Sequence, residues 1–221
     1  MLQAALKSRL PRASRVEVLY GGEDHAAALV GPCLTLIARR EPGPNYSHEA
    51  PRWVDRLLEA YPQKGVAIVV VQASAPPPTE AGRARIDRAY VEYGRGVTGL
   101  AMVIEGKGFV AASIRSVLSL IQLKSRYPYP IKTFAKVSEG AEFVVTKLVA
   151  GSHIPAAQIV SGVEDLRAAY EGELGRFTAG SAHVGALGSV GRMLPSPGGR
   201  SAFARQSLGR FGGRPGVRAR A

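Results

Sequence analysis

The sequence predicts an α/β fold: a mainly parallel sheet with an antiparallel N-terminal edge, helices packed on it, and a disordered basic tail. Three observations carry that expectation. Two short runs, VAIVVV at 66–71 and LAMVI at 100–104, are continuously apolar, as strands covered on both faces are. Each is followed by a segment whose apolar residues recur at helical spacing. Finally, the acids stop: Leu174 to Ala221 holds eight arginines and no Asp or Glu.

The elements follow in order. Arg15–Tyr20 (RVEVLY) alternates and reads as a half-buried strand, with Gly21-Gly22 as its turn. Ala26–Val30 and Cys33–Ala38 are two further strands broken by Gly31-Pro32, which makes the opening antiparallel. Glu41–Asn45 (EPGPN) is a loop. The next helix is expected over Ala50–Ala60, with Pro51 in its first turn. Trp53, Leu57 and Ala60 share its inner face, with Val54, Leu58 and Tyr61 beside them.

After the buried strand 66–71, the Ala75–Pro78 break leads to Thr79, an N-cap for a helix reaching about Tyr93. Ile86, Ala89, Tyr90 and Tyr93 form its inner stripe; Arg85, Arg88 and Arg95 face outward. Leu100–Ile104 repeats the buried strand. Phe109 to about Ser125 reads as a helix with Val110, Ile114, Val117 and Ile121 on one line, and Ile131–Phe134 as a short strand. Ser138 is expected to cap a helix through about Val149, and Pro155 to about Tyr170 reads as a last helix carrying Ile159, Val163 and Leu166 inward. Three successive strand–helix–strand crossovers imply parallel pairing, each crossover right-handed.

The chain therefore divides into a basic N-terminal arm (1–14), an α/β domain (15–150), a C-terminal helix (151–173) and an Arg/Gly-rich tail (174–221). Of the 221 residues and net charge of +12, the tail carries +8, with eleven glycines in 48 residues. Such a composition cannot bury enough apolar area to offset chain entropy, so disorder is expected. The functional reading is weak, nonspecific attachment to nucleic acid or another anionic surface, to which Phe203 and Phe211 could add stacking. The plain alternative is a solvated extension of biased composition. A domain of about 150 residues hides roughly 68–70% of its unfolded surface, so the core needs no staples.

Several chemistries are unsupported. One cysteine excludes a disulfide framework, and Cys33, on an apolar strand, reads as a buried small hydrophobe. The four histidines share no element, so no metal site is expected; His25 reads as a loop residue. No G-x-S-x-G occurs, and no catalytic acid–base or nucleophile set is legible. Gly106-Lys107-Gly108-Phe109-Val110-Ala111 fits G-x-G-x-x-A between a strand and a helix. It follows a late strand, however, and Ala135-Lys136 stands where an acid should take a ribose hydroxyl. It reads as a tight turn, with a residual anion site at Gly106, Lys107 and Gly108. No cofactor is expected. Tyr127 and Tyr129, between prolines, read as an exposed aromatic pair. No stretch reaches the roughly 20 apolar residues of a membrane span, and Met1–Arg15 lacks the apolar core of a secretory signal, so a cytoplasmic location is expected.

Four segments together carry a resemblance: VAIVVV at 66–71, ARIDRAYVEYG at 84–94, GLAMVIEGKGFVAASIRSVL at 99–118 and YPIKTFAKVSEGAEFVVTKL at 129–148. Their layout resembles the STAS-like domain of anti-sigma-factor antagonists and their single-domain relatives. The resemblance implies a non-enzymatic regulatory or scaffolding module that acts by protein association. In the antagonists a phosphorylatable serine or threonine follows the central strand, usually after an aspartate. The corresponding stretch here is Gln72-Ala73-Ser74-Ala75 and three prolines, with no aspartate. Ser74, and after it Thr79, are the candidate phosphosites, and Arg85, Arg88 and Arg95 the candidate partner face. The alternative is a small-ligand, nucleotide or anion sensor using Gly106 to Gly108.

Overall fold

The computed structural model describes residues 2–10, 15–106, 108, 111–116 and 127–186. It contains six strands: β1 (Val16–Gly21), β2 (His25–Val30), β3 (Cys33–Ala38), β4 (Gly65–Val71), β5 (Val97–Ile104) and β6 (Ile131–Phe134). They form one sheet in the order β1-β2-β3-β4-β5-β6. β1–β2 and β2–β3 pair antiparallel, and every later pair is parallel. The expected α/β architecture holds, with β4 and β5 as adjacent inner strands.

The helices are α1 (Leu2–Arg9), α2 (Tyr46–Ala60), α3 (Glu80–Tyr93), α4 (residues 111–116), α5 (Val137–Val145) and α6 (Ala156–Ala186). Strand order that never reverses, combined with right-handed crossovers, puts every connecting helix on one face. Accordingly α2, α3 and α4 pack over Ala27, Leu36, Val69 and Met102, a row set by the strand registers. The opposite face is left to the chain ends. It packs α1, α5 and α6 over Ala28, Val30, Ile68, Val70 and Val103.

Small residues set how closely α6 approaches. Ala26, Ala28 and Val30 of β2 face it, and a Cβ on Gly162 would meet Val30 Cγ1 at 2.6 Å. Ile159, Val163, Leu166 and Tyr170 are fully or almost fully buried there, so α6 belongs to the same core as residues 15–150.

Several boundaries differ from expectation. The N-terminal arm is the helix α1, held by the fully buried Leu6 and by an ion pair between Arg9 and the buried Glu173. α2 starts four residues early, which places Pro51 inside it. α5 starts at Val137 with no side-chain cap, so Ser138 lies in its first turn. α6 runs through 174–186, which corrects the tail boundary; the rest of the tail lies outside the described residues. Val110, Val117 and Ile121 also lie outside them, while Ile114 is buried as its helical position predicts. No helix among the described residues is long and apolar enough to cross a membrane.

Candidate functional site

The parallel strands end together, and their loops converge at that edge. Residues 39–45 leave β3, 72–79 leave β4 and 105–108 leave β5. The rim row of the sheet, set by register, is His25, Ala38, Val71 and Ile104. Ala38 is the smallest member, and the space above it is open.

That space is a cavity of about 60 Å³. Its floor is Leu36, Ala38, Val69 and Val71; Tyr46, Ile86, Tyr90 and Ile114 roof it; Pro76 and Pro78 close one side. Among the described residues, the one buried titratable side chain in its lining apart from the tyrosines is His25, only 3% exposed. Contrary to the loop expectation, His25 opens β2 inside an aromatic cluster. Tyr20 stacks on it at 4.5 Å, and Tyr46 and Trp53 meet it edge-on at 5.1 and 5.4 Å.

A β-bulge makes that stacking possible. The β1–β2 register slips between Val18 and Tyr20, so Leu19 is the extra residue and Tyr20 turns to the α2 face although Val18 points the other way. His25 Nδ1 lies 3.0 Å from Asp24 Oδ1, close enough for an ion pair but not aligned for a hydrogen bond, and Nε2 has no partner among the described residues. Asp24 accepts backbone N–H groups from His25 at 3.1 Å and Gly43 at 2.7 Å. Partial burial works against its charge, but these donors and the facing imidazole hold the carboxyl below its ordinary range.

The tyrosines behind the cavity are hydrogen-bonded and neutral. The Tyr46 and Tyr93 hydroxyls lie 3.1 Å apart, and burial pushes Tyr46 up to about 12 and Tyr93 well above its ordinary value. Tyr129 donates to the Tyr90 carbonyl at 2.6 Å and Tyr127 to Asp87 at 2.5 Å. The expected exposure of this pair is therefore wrong. Tyr129 is buried and Tyr127 half-buried, because the turn fixed by Pro128 and Pro130 folds both rings onto α3.

Beside the cavity, sharing Arg40, Glu41 and Pro76 with it, lies an open cleft of about 520 Å³. Arg39, Ser74, Pro77 and Thr79 complete its lining. Ser74 is exposed in a turn closed by the Ala75 N–H to the Gln72 carbonyl. Its hydroxyl has no partner among the described residues. Thr79 is engaged as expected, its hydroxyl accepting from Gly82 N at 3.2 Å as the α3 cap. Glu41 accepts from Thr79 N at 2.7 Å, and its carboxyl is held below its ordinary range chiefly by Thr79. A resident carboxylate thus already sits at the start of α3.

The three outward arginines separate. Arg85 is turned in, donating from Nε to the Pro42 carbonyl at 2.6 Å, so it braces the 41–43 loop. Arg95 is exposed but pairs with Asp55 at 2.7 Å and Glu92 at 3.4 Å. Arg88 is exposed without a partner among the described residues. Gly106 and Gly108 both have left-handed φ, +89° and +86°, as a tight turn requires; Lys107 lies outside the described residues. A Cβ on Gly106 would meet Ala73 Cβ at 3.0 Å, so this turn abuts the segment carrying Ser74.

From the opposite face α6 grips the same loops. Gln72 donates to Glu171 at 3.0 Å, and Arg167 forks onto Glu105 at 3.0 and 2.6 Å. Sequence reasoning placed His25 in a loop beside Asp24 and passed over Arg39 and Arg40. The usable signal was two arginines directly after an apolar strand. No protein-family model, curated protein or solved structure matches this chain.

Proposed function

We propose that this chain is a non-enzymatic, cytoplasmic STAS-like module that regulates or scaffolds by protein association. Its contact surface is the cleft at the carboxyl ends of β3 and β4 together with the exposed side of α3 at Arg88 and Arg95. One observation supports this best: Ser74 stands exposed, its hydroxyl free of partners among the described residues, in an open cleft that also holds Arg39 and Arg40. A phosphate there adds a charge of about −1.5 to −2 and three acceptor oxygens facing two guanidinium groups. Thr79 is the poorer acceptor, since its hydroxyl is spent on the cap and Glu41 already lies against it. The arginine-rich tail adds weak attachment to polyanions.

The test is a native pull-down with wild type, Ser74→Asp and Arg88→Glu. A partner held by wild type and released by both variants supports the reading. A partner set that neither variant alters refutes it. The second reading, anion sensing at Gly106–Gly108, draws on the two left-handed glycines. A nucleotide or phosphate at a hundredfold its Kd would add about 2.7 kcal/mol of stability in a thermal-shift screen.

A further inference from the structure

The apolar cavity opens beside the cleft and shares Arg40, Glu41 and Pro76 with it. We propose, on the premise of the association reading, that this cavity is the anchor socket of that interface. It takes the branched end of one leucine from an acidic segment of the partner protein.

The socket is reachable and already shaped. Ala38, Val71 and Ile86, three of its aliphatic lining residues, are only half-buried, so carbon surface there still meets solvent. Ala38 and Val71 are register neighbours on β3 and β4, the two middle strands of the sheet. Pro42, Pro76 and Pro78, whose φ is fixed by the ring, stand around them. A guest therefore orders little of the protein on entry.

Volume chooses the guest. Side chains that fill pockets at the middle of an interface carry most of its affinity, and aromatic rings are the usual ones. A cavity of ~150 Å³ holds the six carbons of benzene, so one of about 60 Å³ holds two or three. That excludes a ring and fits the three carbons at the end of a leucine. Charge chooses what flanks it. Arg40 is exposed with only a loose 3.9 Å approach to Glu23, and Arg39 has no ion pair among the described residues. The acid at the mouth, Glu41, is turned to Thr79 N and Arg85. Flanking carboxylates are thus favoured, whereas the chain's own Leu194 and Leu208 belong to the acid-free stretch of eight arginines.

The probe is the end-blocked pentapeptide Asp-Glu-Leu-Glu-Asp, beside versions with alanine or phenylalanine at the centre or lysine at all four flanks. Each is titrated into the full chain while the Ile86 and Ile114 methyl groups in the cavity wall are followed by NMR. Saturable shifts of both methyls are expected with the acidic leucine peptide. The other three should bind at least tenfold more weakly; three buried carbons alone are worth roughly fiftyfold. Ala38→Leu fills the socket and should abolish the shifts. The proposal is overturned if the acidic leucine peptide gives no saturable shift, if any of the other three binds as tightly, or if binding survives Ala38→Leu. Should that variant not fold, the peptide comparison on wild type decides alone. The association reading is judged apart from the anchor. A native partner released by Ser74→Asp and Arg88→Glu but kept by Ala38→Leu removes the anchor and leaves that reading standing. Leucine-dependent shifts beside a partner set that neither Ser74→Asp nor Arg88→Glu alters keep the socket and overturn the reading.

Discussion

Replacing Asp24 by Asn tests how the site is held. The Asp24 carboxylate accepts through both oxygens, Oδ1 from the His25 N–H at 3.1 Å and Oδ2 from the Gly43 N–H at 2.7 Å. An amide can satisfy only one of them; however it is turned, its NH₂ faces a backbone donor. One charge-assisted bond, about 1.5–3 kcal/mol, is lost, and the other falls to neutral strength. With the carboxylate still 20% exposed, a total of about 2–3 kcal/mol is expected. For a domain of this size that is a Tm lower by roughly 4–12 °C. The pH dependence has a definite sign. The folded-state pKa is depressed below the unfolded value of about 3.9, so this stabilisation is whole above that value. It is lost as pH falls through the lower, folded-state pKa. Thermal melts of wild type and Asp24→Asn from pH 7 to pH 3 should differ by a constant amount down to about pH 4 and converge below it. Equal Tm values at pH 7, or a gap that persists undiminished to the acid end, would refute the assignment.

Three further outcomes are expected. Gly65→Ala places a Cβ 2.1 Å from the Pro32 carbonyl oxygen, a backbone clash no rotamer relieves, so it should cost about 3 kcal/mol or more and appear as a large drop in the urea midpoint. Cys33 is fully buried, with burial pushing its thiol up to about 12, so it should resist a thiol reagent at pH 8 in the native protein and react at the rate of unfolding. A chain ending at Ala186 keeps all of α6 and loses seven arginines; it should melt as the full chain does but elute from heparin at much lower salt.

The sheet was legible because its signal is redundant. β4 and β5 are buried on both faces, and such strands read as continuous apolar runs whatever lies between them. β6 and the Thr79 cap were equally plain. The departures come from elements that a single residue or a distant contact decides. α1 is pinned by Leu6 and borrows its anchor, Glu173, from α6, far along the chain. α6 continues through Gly175, Gly180 and Gly185, where no apolar stripe announces a helix. The bulge at Leu19 carries no glycine to betray it, yet it aims Tyr20 over His25. Tyr127 and Tyr129 looked exposed because prolines flank them, when those prolines set the turn that buries the rings. Local pattern reveals which residues need covering; what covers them is settled by contacts across the whole chain.

The same logic separates the two halves of the site. The cleft is a surface feature, and its groups lose little by being there: its arginines and serine reach solvent, and the half-buried Glu41 carboxylate accepts from Thr79 N. The cavity is different. At about 24 cal/mol per Å³, about 60 Å³ of empty apolar space costs roughly 1.5 kcal/mol, and a buried imidazole nitrogen without a partner adds about 1–3 kcal/mol. A valine at position 38 would reduce the first penalty, and a leucine or phenylalanine at 25 the second, without disturbing register. The His25 ring is held for its part by Tyr20, Tyr46 and Trp53 around it and by Asp24 facing Nδ1, so the small Ala38 beside it is the member of the rim row that packing leaves unexplained.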